Sequence, residues 1–218
     1  QPNLSDTFDP EKKFDVLHIC FGHKENEVEE YHKWVDEYQE KFLSPGGLTI
    51  IHATVAVGVS LGLGAVHSPT RGMHPNLYEG VKTFVKFFGG ARAGEAAEYF
   101  MKCGVKTVIV DQSDTTESLK LFDTEYYRMC IEFCQRVKTY CDKYNLNFHE
   151  VYTLANLTYN QGYQELGRPE YVRSVLQPIM GPIGGHCVGP NARLLALSEE
   201  RLVPPNNRCC RLKKAAER

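Results

Sequence analysis

The sequence predicts an α/β fold: a parallel sheet over roughly its first half, then a domain built on one very long helix. Three observations carry this. Short apolar runs, Phe14-Asp-Val-Leu-His-Ile-Cys-Phe21 and Leu48-Thr-Ile-Ile-His52, read as buried strands. Between them, Val28, Tyr31, Trp34, Val35, Tyr38 and Phe42 recur at three and four, the period of a helix with one buried face. From Ser113 to Tyr144 no Gly or Pro interrupts a helical stripe.

Strand, helix and strand joined by short links form a βαβ unit, which requires parallel pairing. Gly22 closes the first strand and Ser44-Pro-Gly-Gly47 breaks the first helix. From Ala53 to Gly80 the chain is rich in Gly, His and Pro and predicts loops, with a short strand at Ala65–His67. Val81–Phe88, interrupted by Lys82 and Lys86, predicts an edge strand closed by Gly89-Gly90. Ala91–Cys103 predicts a helix and Lys106–Asp111 another strand. Ser113 or Asp114 can cap the long helix, with Glu117 in its first turn, and Asn145 is its stop. Further helices are expected over Phe148–Tyr163 and Asn191–Leu202, and a short one from Pro169, with a Gly/Pro loop over Ile179–Pro190. The expected domains are residues 1–112, 113–202 and a basic tail, 203–218.

At 218 residues and 42% hydrophobic the chain can bury a core. Its 25 basic and 27 acidic residues leave no field that would recruit nucleic acid or an anionic membrane. The longest run without charge or His, Ala53–Val66, is too short to span a bilayer. The polar Gln1–Lys13 has no basic-then-apolar signal pattern. Cys20 ends a strand-like run, and Cys130, Cys134 and Cys141 have helix spacing, as small buried hydrophobes do in a reducing compartment. A cytoplasmic location is expected, and the sequon Asn156-Leu-Thr158 is read as chance.

Five segments carry a family likeness. Asp15–Phe21 and Ile50-Ile-His-Ala-Thr-Val-Ala-Val-Gly58 resemble successive strands of the nucleotide-sugar dehydrogenases, the second ending in their Ser-Thr-Val-Pro-x-Gly pattern. His74-Pro-Asn-Leu-Tyr-Glu-Gly80 is similar to their substrate loop, and Glu117-Ser-Leu-Lys120 to the start of their central dimerisation helix. Gly184-Gly-His-Cys-Val188 resembles the nucleophile loop of the UDP-N-acetylmannosamine branch. The segments fall in family order across most of the chain. The resemblance implies a partial Rossmann-like domain, then a 6-phosphogluconate-dehydrogenase-like helical domain that forms a homodimer.

That family oxidises a sugar alcohol twice with NAD through a cysteine thiohemiacetal. The chemistry needs a thiolate, a cation for the oxyanions and a group that moves protons. The resemblance assigns Cys187 as nucleophile, Lys120 as oxyanion cation and Thr54 as the residue that orders a water. It places Glu79 and Asn76 in the substrate loop and His186 beside the nucleophile; Arg71, in Ser68-Pro-Thr-Arg-Gly72, is a further candidate contact to a small polar or anionic substrate, or else a turn residue facing water. Thr124 stands where the family has Asn, and Pro75 or Asn76 where it has its first substrate-loop acid. No Gly-x-Gly-x-x-Gly turn accompanies the first strand; Gly58-Val-Ser-Leu-Gly-Leu-Gly64 follows the wrong one. After Cys187 the chain reads Gly189-Pro-Asn191, and few residues follow 202 to supply the family's closing domain.

NAD is therefore implied by resemblance alone, and two classes of function stay open. One is an enzyme acting on a small polar substrate. The other is a non-catalytic relative that binds a ligand or serves as a dimer scaffold. A metal-dependent variant would draw on His52, His67, His74 and His186, because three or four such ligands suffice for Zn²⁺ or Fe²⁺. The competing fate of loop histidines is hydrogen bonding to backbone or contact with a substrate phosphate.

Overall fold

A computed structural model describes residues 12–72, 75–179, 181, 183 and 188–202, with side chains described to residue 199. Cys187, His186, His74 and the tail with Cys209-Cys210 lie outside the described residues. The chain divides into two units: Gln1–Phe122 with Pro190–Arg218, and Asp123–Gly189.

The first unit is a five-stranded sheet in the order β1 (Phe14–Ile19), β2 (Leu43–Ile51), β3 (Val66–His67), β4 (Lys86–Gly89), β5 (Thr107–Val110). The first three strands are parallel, β4 runs antiparallel to β3, and β5 is parallel to β4. Helix α1 (Val28–Phe42) links β1 to β2 and buries Val28, Tyr31 and Val35 of its three–four stripe, whereas Trp34 and Tyr38 of the same stripe stand exposed and Phe42 is half-buried. Ser44–Gly47 stays extended with Gly46 at φ 76°, a bulge that shifts the β1–β2 register between Phe14 and Val16.

Reversal at β4 decides which face each helix covers. A parallel crossover is right-handed, so turning the strands over while keeping their order sends the helix to the other face. Accordingly α1 packs on the face of Ile19, Ile51 and Val55, with Leu121 and Leu194. Helix α4 (Ala93–Met101), between β4 and β5, packs Ala93, Ala96 and Ala97 on the opposite face against Leu48, Ile50, Val66 and Phe88. Short helices α2 (Val59–Gly62) and α3 (Leu77–Thr83) lie in the connections before β3 and β4.

Residues 81–88 correct the sequence reading. Val81–Thr83 end α3, and only Lys86–Gly89 is a strand, in the sheet interior between β3 and β5. Two lysines made the segment look like an edge; Lys82 is exposed, whereas Lys86 turns inward and is buried. The edges are β1 and β5.

Helix α5 (Ser113–Tyr144) crosses from the first unit into the second. It stops where Asn145 adopts φ 52°: Leu146 N–H donates to Cys141 O (2.8 Å) and Asn145 N–H approaches Asp142 O (3.5 Å), a Schellman closure. In the second unit a π-helical turn, His149–Leu154, leads into α6 (Ala155–Glu165) and a 3₁₀ turn, Pro169–Tyr171. The returning extended segment is fixed by Tyr152, whose hydroxyl donates to Ser174 O (3.3 Å) and accepts from Leu176 N–H (3.3 Å). Cys134 and Cys141 are buried there and Cys130 is half-buried. Asn156 of the sequon is also buried, donating to Tyr152 O at 2.7 Å. Helix α7 (Val188–Leu202) returns to the first unit, with Leu194 in the core.

Candidate functional site

In open parallel sheets ligands gather beyond the carboxyl ends of the strands, where loops leave free side chains above a rigid base. Here that edge is formed by the residues following β1, β2 and β3. Its centre is the turn 53–60, and four separate side chains hold the backbone of that turn. His23 Nε2 accepts from Ala56 N–H (3.2 Å) while its Nδ1–H donates to Lys24 O (2.8 Å). Ser198 of α7 accepts from Val57 N–H (3.0 Å). Glu117 of α5 accepts from Gly58 N–H (2.7 Å) and Ser60 N–H (2.8 Å). His67 Nε2–H donates to Ala53 O (3.1 Å). Gly22 is required in the facing loop, because a Cβ there would sit 2.9 Å from Thr54 O.

Three of these partners, His23, His67 and Glu117, are buried titratable groups. Burial pushes the Glu117 carboxyl up, and the N–H bonds from Ser60 and Gly58 oppose that rise. Burial pushes His67 down to about 4, with the charges of Lys86 and Lys120 acting in the same direction. A neutral His67 that donates through Nε2 must accept at Nδ1, so the Thr116 hydroxyl, 2.9 Å away, donates to it.

Beside the turn lies a second polar chain. His52 Nδ1–H donates to Ser68 O (3.0 Å), which leaves Nε2 to accept from His18 Nδ1–H at 2.9 Å. The two rings stack at 5.2 Å between centroids, with Phe100 edge-on to both. Lys86 Nζ donates to the same Ser68 carbonyl (2.8 Å) and lies over the Phe88 and Phe100 rings. Burial brings Lys86 down to about 8. Burial, and then the Lys86 charge, bring His52 down to about 3.

Of the residues singled out in the sequence, Thr54 is half-buried on the central turn. Lys120 is half-buried one helical turn after Glu117, and its charge is felt at His67. Glu117 and His67 thus hold the turn that carries Thr54, and Lys120 follows Glu117 by one helical turn on α5. Glu79 and Asn76 are exposed at the start of α3. Arg71 lies over the Phe84 ring at 5.6 Å, and its loop meets α3 where Gly72 and Gly80 pack backbone to backbone. His52 and His67 spend both ring nitrogens on hydrogen bonds, and no group of metal-ligating side chains occurs among the described residues. Sequence reasoning missed His18, His23, Lys86 and Ser198. His18 and Lys86 sit inside apolar runs, Ser198 in a helical stretch and His23 in the loop after β1, and only tertiary structure supplies their partners.

A dinucleotide's pyrophosphate does not fit this turn. The amides at the start of α2, Gly58 and Ser60, are the donors a phosphate would use, and the Glu117 carboxylate already takes both.

No family model matches the sequence, and no curated protein matches it significantly. Solved structures do. The UDP-D-ManNAc dehydrogenase of Pyrococcus horikoshii superposes with a TM-score of 0.69 at 18% identity, over 84% of this chain and 46% of that one. The UDP-N-acetyl-mannosamine dehydrogenase of Staphylococcus aureus gives 0.60 at 20% identity, over 87% and 50%. A UDP-glucose dehydrogenase of Pyrobaculum islandicum gives 0.51 at 13% identity, over 85% and 50%. The chain therefore spans about half the length of these proteins and shares their fold over that half: a mostly parallel α/β sheet with a helical domain.

Proposed function

We propose that this chain is a divergent relative of the NAD-dependent nucleotide-sugar dehydrogenases whose carboxyl-end cleft binds or transforms a small polar or anionic substrate. The observation that carries this reading is the hold of Glu117 and His67 on the turn bearing Thr54, with Lys120 one helical turn after Glu117. A half-buried ammonium beside a turn fixed by four side chains is a preorganised donor for an oxyanion or a substrate carboxylate or phosphate. The family resemblance gives Cys187 the role of nucleophile, Lys120 that of oxyanion donor, and Thr54 that of water-positioning group. Glu79, Asn76, Arg71 and His186 are its substrate contacts. The chain's own residues would bind and orient the substrate; hydride removal would fall to NAD, whose pyrophosphate has no seat on the described turn. A cytoplasmic location belongs to this reading, and no described helix is long and apolar enough to cross a membrane.

Homodimerisation through α5 is the second part of the proposal. Phe122, Tyr126, Met129, Phe133, Tyr140 and Tyr144 all stand exposed, at spacings that keep one seam of the helix apolar. The same seam would serve a non-catalytic scaffold. Metal-dependent use of the cleft finds no support in His52 or His67, whose nitrogens are engaged.

Calorimetric titration with UDP-N-acetylmannosamine separates the enzyme class from the scaffold. Binding to wild type that weakens about tenfold or more in Lys120→Met supports the cleft reading, a loss of about 1.4 kcal/mol. An absence of binding leaves the scaffold.

A further inference from the structure

A second crevice lies beyond the carboxyl ends of β4 and β5. Because β4 and β5 run against β3, their chains leave the sheet in the opposite direction, with Gly90 passing Ala65 and Val66 at the start of β3. From there α4 leaves toward one face and α5 toward the other. Adjacent parallel strands whose helices part in this way leave a gap outside their carboxyl ends, the general position of ligand crevices in open α/β sheets. The gap here has a volume of about 360 Å³, within the range of small-molecule sites, and its walls include Leu61, Gly90, Ala91, Asp111, Ser113 and Asp114.

The order of elements around it is strand, Gly-rich turn, helix, strand, acid. Gly89-Gly90-Ala91-Arg92-Ala93-Gly94 connects β4 to α4, and Asp111 immediately follows β5. In nucleoside-binding βαβ units an acid at that position accepts the ribose hydroxyls. Gly89 is needed here because a Cβ would meet Gln112 O at 2.5 Å, and Gly90 because its φ is +123°. Where such units place a second glycine so that backbone can approach a pyrophosphate, this chain has Ala91. Asp111 and Asp114 add negative charge, and Arg92 is already committed to Glu95. Phosphate is disfavoured on both counts, while a neutral diol is not.

An independent observation also points to a ligand. Ser113 is 3% exposed, lines the crevice, and its hydroxyl has only a 3.5 Å approach to Asp114 Oδ1. That distance is at the outer limit of a hydrogen bond, so the hydroxyl of this crevice-lining residue is weakly held and available to a better acceptor. Leu61, 70% exposed, offers an apolar wall for a flat base.

We propose that this crevice is a second site that takes the nucleoside moiety of a ligand, with Asp111 accepting the ribose diol, Ser113 completing the polar contact and Leu61 covering the base. The site is independent of the cleft around Lys120 and needs neither NAD nor a nucleotide sugar.

The test is an NMR titration of the isotopically labelled chain with adenosine, 2′,3′-dideoxyadenosine and adenosine 5′-monophosphate. Adenosine is expected to shift the Gly90, Ala91 and Ser113 amides, with the dideoxy compound binding at least about tenfold more weakly and the monophosphate no tighter. Asp111→Asn should weaken adenosine by a similar factor with unchanged amide dispersion, since Asp111 is exposed; Ser113→Ala should weaken it less. Equal affinity for the diol and dideoxy compounds, tighter binding of the monophosphate, or no shifts in the crevice at millimolar adenosine would overturn the proposal.

Discussion

Glu117 does at one residue what a bound anion does at many helix N-termini: it satisfies two amides at the start of α2 with one carboxylate. Removing it leaves the Gly58 and Ser60 N–H groups without their acceptor. Glu117→Ala is therefore expected to lower stability by about 3 kcal/mol in chemical denaturation. Glu117→Gln should lower it by roughly half as much, because an amide keeps one acceptor and turns a donor toward the other N–H. His67 predicts a pH dependence. Its proton binds near 6.5 in the unfolded chain and at about 4 in the folded one. Between those values the unfolded state holds more protons, so stability rises with pH. The His67 contribution is complete above pH 6.5 and is lost as pH falls to about 4, an effect of about 3 kcal/mol. His52 acts with the same sign down to about 3. Denaturation midpoints across this range should fall less steeply in His67→Gln than in wild type; parallel slopes would count against a buried neutral His67. Glu117 and Lys120 were visible in the sequence as a motif, but the job of Glu117 was not. A glutamate in a helix first turn ordinarily serves its own dipole, and only the fold brings Gly58 and Ser60 to it.

Strand β4 shows the same effect at the level of an element. Lys82 and Lys86 share one polarity signal in the sequence, and burial separates them: one is on α3, the other beneath Phe100. Lys86 titrates at about 8 folded and 10.5 unfolded, so across that window the unfolded state again binds more protons. Stability should rise as pH increases from about 8 toward 10.5, and Lys86→Met should flatten that rise and raise the melting temperature at pH 7. A variant less stable than wild type at pH 7 would mean that the bond to Ser68 O outweighs the cost of burying the charge. Helix α5, in contrast, was legible from end to end. Its stripe, its lack of Gly and Pro, and Asn145 as an αL stop are all local signals. The apolar seam it leaves exposed predicts that Met129→Glu with Phe133→Glu gives a monomer by sedimentation if wild type is a dimer; dimer retention in the double variant would move the interface elsewhere.

For the whole molecule, alternation of strands and helices was enough to predict an α/β sheet, and the β1–α1–β2 unit follows the sequence closely. Reversal at β4 was not predictable, because periodicity reports burial and is silent on strand direction. That reversal has the larger functional consequence. It makes the strands leave the sheet in both directions: the segment after β2 carries Thr54, and the segments after β4 and β5 carry the crevice at Asp111 and Ser113. The central claim concerns the first of these: that Lys120, beside a turn fixed from four sides, binds the substrate's anionic group. Calorimetric titration of UDP-N-acetylmannosamine into wild type and Lys120→Met tests it most directly. The claim predicts saturable binding to wild type that weakens about tenfold or more in the variant. Equal affinity in the two proteins, or no binding to wild type at millimolar ligand, would contradict it.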